Sequence, residues 1–444
     1  MASNRPNAAD PKVAAPNAIT QDGAKEKEDD MFVLISRRNP WKDGKLVSSL
    51  ENPPTTSTKS ADTGSNTKDK DGWETIPLFG SNPKPRLETE LRNHAGRIFY
   101  RICEHFDTGV TDGDFSRPRL VRYTYTYSLS QESGDHFLRA FFKAVDLQIS
   151  GDEDISFEDI RLKFFDFGDY LFNHFYLPVK ASTKKTPQPS LALHSAVQEA
   201  QGRGRQQDVG TGPRLSILRR DCLIRDLHRC IISRRFDLAE AMKRRLDPGG
   251  SRDDEGNLIA NDPFEPAQLE VAHILPHSLT RMNQGDELNV SKESTLSILD
   301  MFDVGVAELI QGPEIDRPRN ALTLTHDFHQ WFSDFQVYFE PVPDSDHTYT
   351  IRTHVAEEYF FRRPALPITC ELYLTPERKI EPPSSRLLAI HCAISRILYL
   401  SGAGEYIDKI YRDMEEHGVQ ANGSTPLGHF VSLAISEQSS SACA

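Results

Sequence analysis

The sequence predicts an α+β protein: a mainly helical N-terminal part, then a small strand–strand–helix module with further strands and helices behind it. Three observations predict this. Between about Arg86 and Val179 apolar residues recur at helical spacing, most clearly in HFLRAFFKAVDL. Two short apolar runs, Leu269–Leu275 and Ala321–Leu324, have the length and composition of strands. The second run leads directly into a segment that reads as a short helix, from about Asp327 to Phe335.

Length and composition set the frame. A chain of 444 residues has room for two or three domains. Its 24 Phe, 13 Tyr and 3 Trp can fill real cores, while 28 prolines and a mean hydropathy of -0.52 indicate that a good part is not packed. The chain therefore reads as globular in the middle and loose at its ends. No run of about 18 apolar residues occurs, so no membrane span is expected, and the first residues lack the basic-then-apolar pattern of a signal peptide. The six cysteines form no CxxC pair. Their scatter argues against a zinc ribbon and for reduced thiols in an intracellular protein. The net charge of -13 argues against nonspecific wrapping of DNA by the whole surface. Locally the balance differs: residues 214–247 carry ten Lys/Arg against five Asp/Glu, and residues 251–316 carry fourteen acids against three bases.

Taken in order, residues 1–85 are polar and include ENPPTTSTKSADTGSNTKDKDG, which cannot bury enough surface to offset chain entropy. This arm is expected to be disordered, with MFVLI and WETIPLF as islands able to dock on a protein partner. Residues 86–180 form the helical domain. There Phe137, Leu138, Phe141, Phe142 and Val145 line one buried face, Ser156 caps a following helix and Pro178 stops it. Residues 181–213 read as a linker whose glycines lack the spacing of a phosphate-binding loop. The module spans 214–360: two helices broken near CIIS, the loop PGGSRDDEGN, the two strands and short helix, then strands at QVYFEPV and TYTIRTHV. A C-terminal helical extension at 361–425 contains a helix ending at Gly402, and 426–444 is a flexible tail.

The histidines carry the chemistry. LEVAHILPHSL places His273 where the chain must leave a sheet, because Pro276 cannot donate to a ladder. An imidazole there can act as a general base toward water. Forty-seven residues on, NALTLTHDFHQWF enters a strand at Asn320 and a helix carrying His326 and His329. Those two lie three apart, on one helix face, where both can approach one cation. Strand, loop, strand and helix around a cation, with an asparagine orienting the loop, is the layout of a ββα-metal nuclease.

These segments resemble the HNH nuclease family, and in particular HNH-domain proteins of filamentous fungi. RDLHRCIIS resembles the lead-in of the module, LEVAHILP its first histidine segment, and NALTLTHDFHQWF its Asn/His segment with a nine-residue step. The resemblance covers about Ile217 to Thr353. It implies metal-dependent hydrolysis of DNA phosphodiester bonds, with His273 as general base, Asn320 holding the loop, and His329 as metal ligand. A second ligand is open among His326 on the same helix face, Asp334 just after the helix, and Glu270, which two residues of strand set about 7 Å from Ala272. Mg²⁺ or Mn²⁺ is the implied cofactor, and Zn²⁺ also suits imidazoles. Two positions depart from the family pattern: Ala272 stands before the base and Ser333 four residues after His329, where Asp or His is common. The alternative expectation is therefore a catalytically degenerate HNH scaffold that binds nucleic acid or protein. Arg225, Arg229, Arg234 and Arg235 are candidates to touch DNA phosphates. Cys222 and Cys230, without a second pair, read as core thiols.

Overall fold

The structure is a computed structural model. It describes residues 85–109, 115–151, 154–183, 211–246, 251–276, 290–355, 366–376 and 379–417. All of them belong to one compact unit, Asn66–Ala444. The expected disordered arm, most of the linker, His277 and the C-terminal tail lie outside the described residues.

The helical part starts with α1 (Thr89–Phe106), α2 (Arg117–Thr126), α3 (Gln131–Ala144) and α4 (Phe157–Leu171). Phe137, Leu138, Phe141, Phe142 and Val145 are buried, as their spacing predicts. Phe99 meets the rings of Phe137 and Phe141 edge-on, at 5.5 and 4.9 Å, so the phenylalanines interlock as packing. Pro178 was expected to end a helix, and it does not. A π turn at Phe172–Tyr176 follows α4, and α5 (Leu177–Thr183) continues past the proline. Proline has no N–H to give the carbonyl four residues back. The hydroxyl of Thr295 donates to that carbonyl, His174 O, at 2.6 Å. A partner 121 residues away thus lets the helix run on.

Behind the linker come α6 (Thr211–Arg225), α7 (Leu238–Arg244), β1 (Leu269–His273), α8 (Val290–Asp300), β2 (Ala321–Thr325) and α9 (His326–Ser333). β1 and β2 form a two-stranded antiparallel sheet, separate from the antiparallel sheet β3 (Val337–Pro341), β4 (Thr348–Thr353) and β5 (Ile368–Glu371). The fold class is α+β, as expected. Two elements have no counterpart in the sequence reading: α8, inside the acidic insertion, and β5.

The C-terminal helices α10 (Ser385–Ser401) and α11 (Ala403–His417) bind the parts together. Gly402, at φ +75°, ends α10 in the left-handed conformation that glycine adopts without strain. α10 packs on both α2 and β3. Its His391 stacks on Phe332 at 3.9 Å and donates from Nε2 to Phe332 O at 3.0 Å. No single helix among the described residues is long and apolar enough to cross a membrane.

Two stability predictions follow from these contacts. Thr295→Val removes the hydroxyl that donates to His174 O. Urea unfolding should register a loss of about 0.5–1.5 kcal/mol, and a neutral result would show that the helix passes Pro178 without that bond. His391 is held neutral by burial, its pKa lowered to about 3 from 6.5. The unfolded chain takes up this proton below pH 6.5 and the folded chain only near 3. The resulting stability is therefore complete above 6.5 and is lost as pH falls toward 3. His391→Gln should lose less stability than the parent between pH 7 and 4.5; equal losses would assign the acid lability elsewhere.

Candidate functional site

The β1–β2 pairing sets His273 opposite Ala321 and Glu270 opposite Leu324. Because successive strand residues point to opposite faces, Val271 and His273 share one face of β1, and Glu270 and Ala272 share the other. Val271 and Ala321 are packed with Leu215, Leu218 and Cys222 of α6. Glu270 instead reaches α9.

Asn320 is fully buried and uses its whole carboxamide. Its Oδ1 accepts from Leu275 N at 3.0 Å, and its Nδ2 donates to Leu275 O at 3.1 Å and Ile315 O at 3.0 Å. Its backbone carbonyl accepts from Ile274 N at 2.8 Å. The asparagine thus fixes the two residues that follow His273.

His273 is the last residue of β1, and its side chain is 2% exposed. Its Nε2 lies 3.3 Å from Asp316 Oδ1, and the other Asp316 oxygen accepts from Arg214 Nε, also at 3.3 Å. Asp316 is 1% exposed. A buried imidazole and carboxylate and a half-buried guanidinium therefore stand in a row on the α6 side of the hairpin.

On the α9 side Glu270 takes hydrogen bonds from two imidazoles, His329 Nδ1 to Oε2 at 2.6 Å and His326 Nδ1 to Oε1 at 3.0 Å. The bond from His329, with that from His326, lowers the Glu270 pKa to about 2, so the carboxylate is ionised at neutral pH. An ionised carboxylate only accepts, so each imidazole presents Nδ1–H to it. In its neutral form each then keeps a lone pair on Nε2. A carboxylate behind a histidine is the usual way of orienting that ring toward a metal.

The donor chemistry of His326 and His329 backed by Glu270 thus suits a divalent ion. Their arrangement is a hydrogen-bonded trio, however, and among the described residues no group of three or more His, Cys, Asp or Glu is spaced to hold a metal. Ala272 is buried and offers no donor where the family pattern has one.

The structure brings His326 and His329 together through one carboxylate, and Asn320 next to the end of β1. It sets His273 on the other face of β1 from Glu270. The residues that sequence reasoning missed are Asp316 and Arg214. Strand spacing sets Glu270 about 7 Å from Ala272, and the reach of a glutamate side chain closes that gap to both imidazoles. The signal for Asp316 was its place four residues before Asn320, within a run of buried turn residues.

Of the four basic candidates, the structure overturns Arg225. Arg225 cannot touch DNA, because its side chain is fully buried. It grips both oxygens of Asp226 at 2.8 Å and donates to Pro318 O and Ala321 O at 2.6 and 2.9 Å. Arg229 is taken up by Asp253 and Asp262, at 2.9 and 2.6 Å. Arg235 donates to the carbonyls of Glu265 and Pro266. Arg234 is exposed. Part of the local positive charge is thus taken up inside the fold, and Arg214, Arg229 and Arg244 meet acids of the segment that follows in sequence.

Residues 250–340 match the family model described as HNH endonuclease. The matched segment contains β1, β2 and α9 with Glu270, His273, Asp316, Asn320, His326 and His329, and leaves out Arg214 and the four basic candidates. No curated protein and no solved structure matches the chain.

The burial of Arg225 yields a prediction. Arg225→Met strips a buried carboxylate and two carbonyls of their partner and should cost about 3–5 kcal/mol in chemical unfolding. Arg234→Ala, on the surface, should cost less than about 0.5 kcal/mol. Comparable effects of the two would show that Arg225 does not brace α6 against the hairpin.

Proposed function

We propose that the HNH endonuclease-family segment at 250–340 is the catalytic part of a metal-dependent nuclease that hydrolyses phosphodiester bonds in DNA. The observation that carries this reading is the paired clamp around the hairpin, with Asn320 holding the strand end beside His273 and Glu270 holding His326 and His329. Each candidate residue is tied to a fixed partner, as catalytic and ligand groups need to be.

In this reading His326 and His329 would hold the ion through Nε2, with Glu270 orienting both rings. A divalent ion bound there would stabilise the charge that develops on the leaving oxygen. His273 takes a proton from water as the water oxygen forms its bond to phosphorus. The bond from phosphorus to the 3′ oxygen breaks, and that oxygen leaves with the electron pair and picks up a proton from solvent. Since His273 and Glu270 lie on opposite faces of β1, the scissile phosphate must lie across the strand end. Two imidazoles favour Mn²⁺ or Zn²⁺ over Mg²⁺, which prefers oxygen donors.

The test is nicking of supercoiled plasmid by the full chain with Mn²⁺ or Mg²⁺. His273→Ala and His329→Ala should each slow it by about 100-fold or more, with the thermal melt of the chain retained. Equal nicking by wild type and His273→Ala would sink the assignment and point to a contaminating nuclease.

A second reading, a scaffold of this family that binds without cleaving, is favoured by the burial of the His273 imidazole behind Asp316. It would show as calorimetric binding of Mn²⁺ that depends on His329, with no nicking.

A further inference from the structure

We infer that Asp316 is a positioning residue for the base: its carboxylate fixes the His273 imidazole as the Nε2–H tautomer and leaves the lone pair that can take a proton on Nδ1, an atom buried in this structure. The inference rests on the reading of His273 as the general base, and it assigns a role to a side chain outside the histidine and asparagine motifs.

Asp316 faces the guanidinium of Arg214, whose Nε donates to Oδ2 at 3.3 Å. A carboxylate so paired is ionised and accepts only. The atom of His273 turned to its other oxygen is Nε2, at 3.3 Å, so that nitrogen carries the hydrogen. The lone pair of the neutral ring is then on Nδ1. Both contacts are at the long end of hydrogen bonding, as catalytic contacts often are before substrate binds.

Next comes the reason the pair stays in place. Asn320 donates to Ile315 O, the residue before Asp316, and exchanges two hydrogen bonds with Leu275, two residues after His273. One carboxamide therefore registers the acid's turn against the base's strand. Arg214 adds a third fixed point from α6. His273 and Asp316 are both buried, and in such surroundings a carboxylate stabilises an imidazolium more strongly than it would in water. Asp316 thus also favours the protonated ring that exists once His273 has taken its proton.

In Asp316→Asn the amide oxygen goes to Arg214, and the amide N–H faces His273. Nε2 must then accept, and the hydrogen moves to Nδ1, the nitrogen the reaction needs free. Full-length protein labelled with ¹⁵N-histidine reports this directly, with the His273 signals identified by their loss in His273→Gln. Wild type should show His273 as the Nε2–H tautomer, and Asp316→Asn should show it shifted to Nδ1–H. Plasmid nicking with Mn²⁺ should fall about 100-fold or more in that variant. Arg214→Gln, which leaves the His–Asp contact, should keep the wild-type tautomer and lose less than about tenfold.

A wild-type tautomer in Asp316→Asn, or nicking by it within about threefold of wild type, overturns the inference and leaves Asp316 as a salt-bridge partner that holds α6. If Asp316→Asn does not fold, the wild-type spectrum decides, because Nδ1–H there overturns the inference. If wild type does not nick at all, the proposed function falls, and the tautomer spectra still decide whether Asp316 sets the ring.

Discussion

One carboxamide holds the end of the hairpin. Asn320 spends its side-chain oxygen and both side-chain hydrogens on Leu275 and Ile315, and its backbone carbonyl on Ile274. All of these bonds are buried, where an unmet polar group costs about 1–3 kcal/mol. Apolar or shorter side chains would leave several groups unmet at once, and an aspartate could not donate. The bonds also converge on two chain segments that have no sheet partners of their own: the exit of β1 and the turn leading to β2. The position of His273 relative to Asp316 follows from this clamp more than from the 3.3 Å contact between them.

A two-stranded sheet is marginal alone, and the β1–β2 hairpin survives because both faces are covered. α6 covers one with Leu215, Leu218 and Cys222, and α9 follows β2 directly and folds back against β1. β2 is buried along its whole length. Several polar groups enter this closed layer in matched sets, while the Thr323 hydroxyl is buried there with no hydrogen-bond partner among the described residues. Arg225 meets Asp226 and backbone carbonyls, His273 meets Asp316 and Arg214, and Glu270 meets two imidazoles at the more open edge. The matching explains how a segment with so many acids folds against a basic one: their charges pair across α6, α7 and the loop 251–262.

The sequence was legible wherever a local pattern carries the information. Apolar spacing located the buried face of α3, the strands β1 and β2, and the end of α10 at Gly402. The histidine and asparagine motifs pointed to the segment that matches the HNH endonuclease model. It was illegible wherever a distant partner decides. Pro178 reads as a stop until Thr295 supplies a donor to His174 O. Arg225 reads as a surface cation until Pro318 and Ala321 turn their carbonyls toward it. α8 lies in an acidic stretch with little apolar rhythm, and its end is buried because Phe302 stacks on Phe175 at 5.4 Å. Glu270 and Asp316 belong to the same class, since one-dimensional spacing does not show which face, or which reach, will meet a histidine.

The acidic insertion between the two strands bears on how self-sufficient the site is. It anchors on the helical part, where Leu129 N donates to Phe302 O at 2.8 Å and Ser128 donates to Met301 O at 3.0 Å. It then returns through Gly312–Asp316 to the hairpin. There Arg317 binds Glu381 at 2.8 Å, beside the start of α10. Asp316 is therefore held at one end by Asn320 within the family-matched segment, and at the other by helices and a C-terminal loop outside it. Arg214 and Arg225 also lie outside 250–340. The family-matched segment supplies His273, Asp316 and Asn320, and the surrounding helices set the distances between them. The geometry of His273 is a property of the whole compact unit, and the helical part is its scaffold.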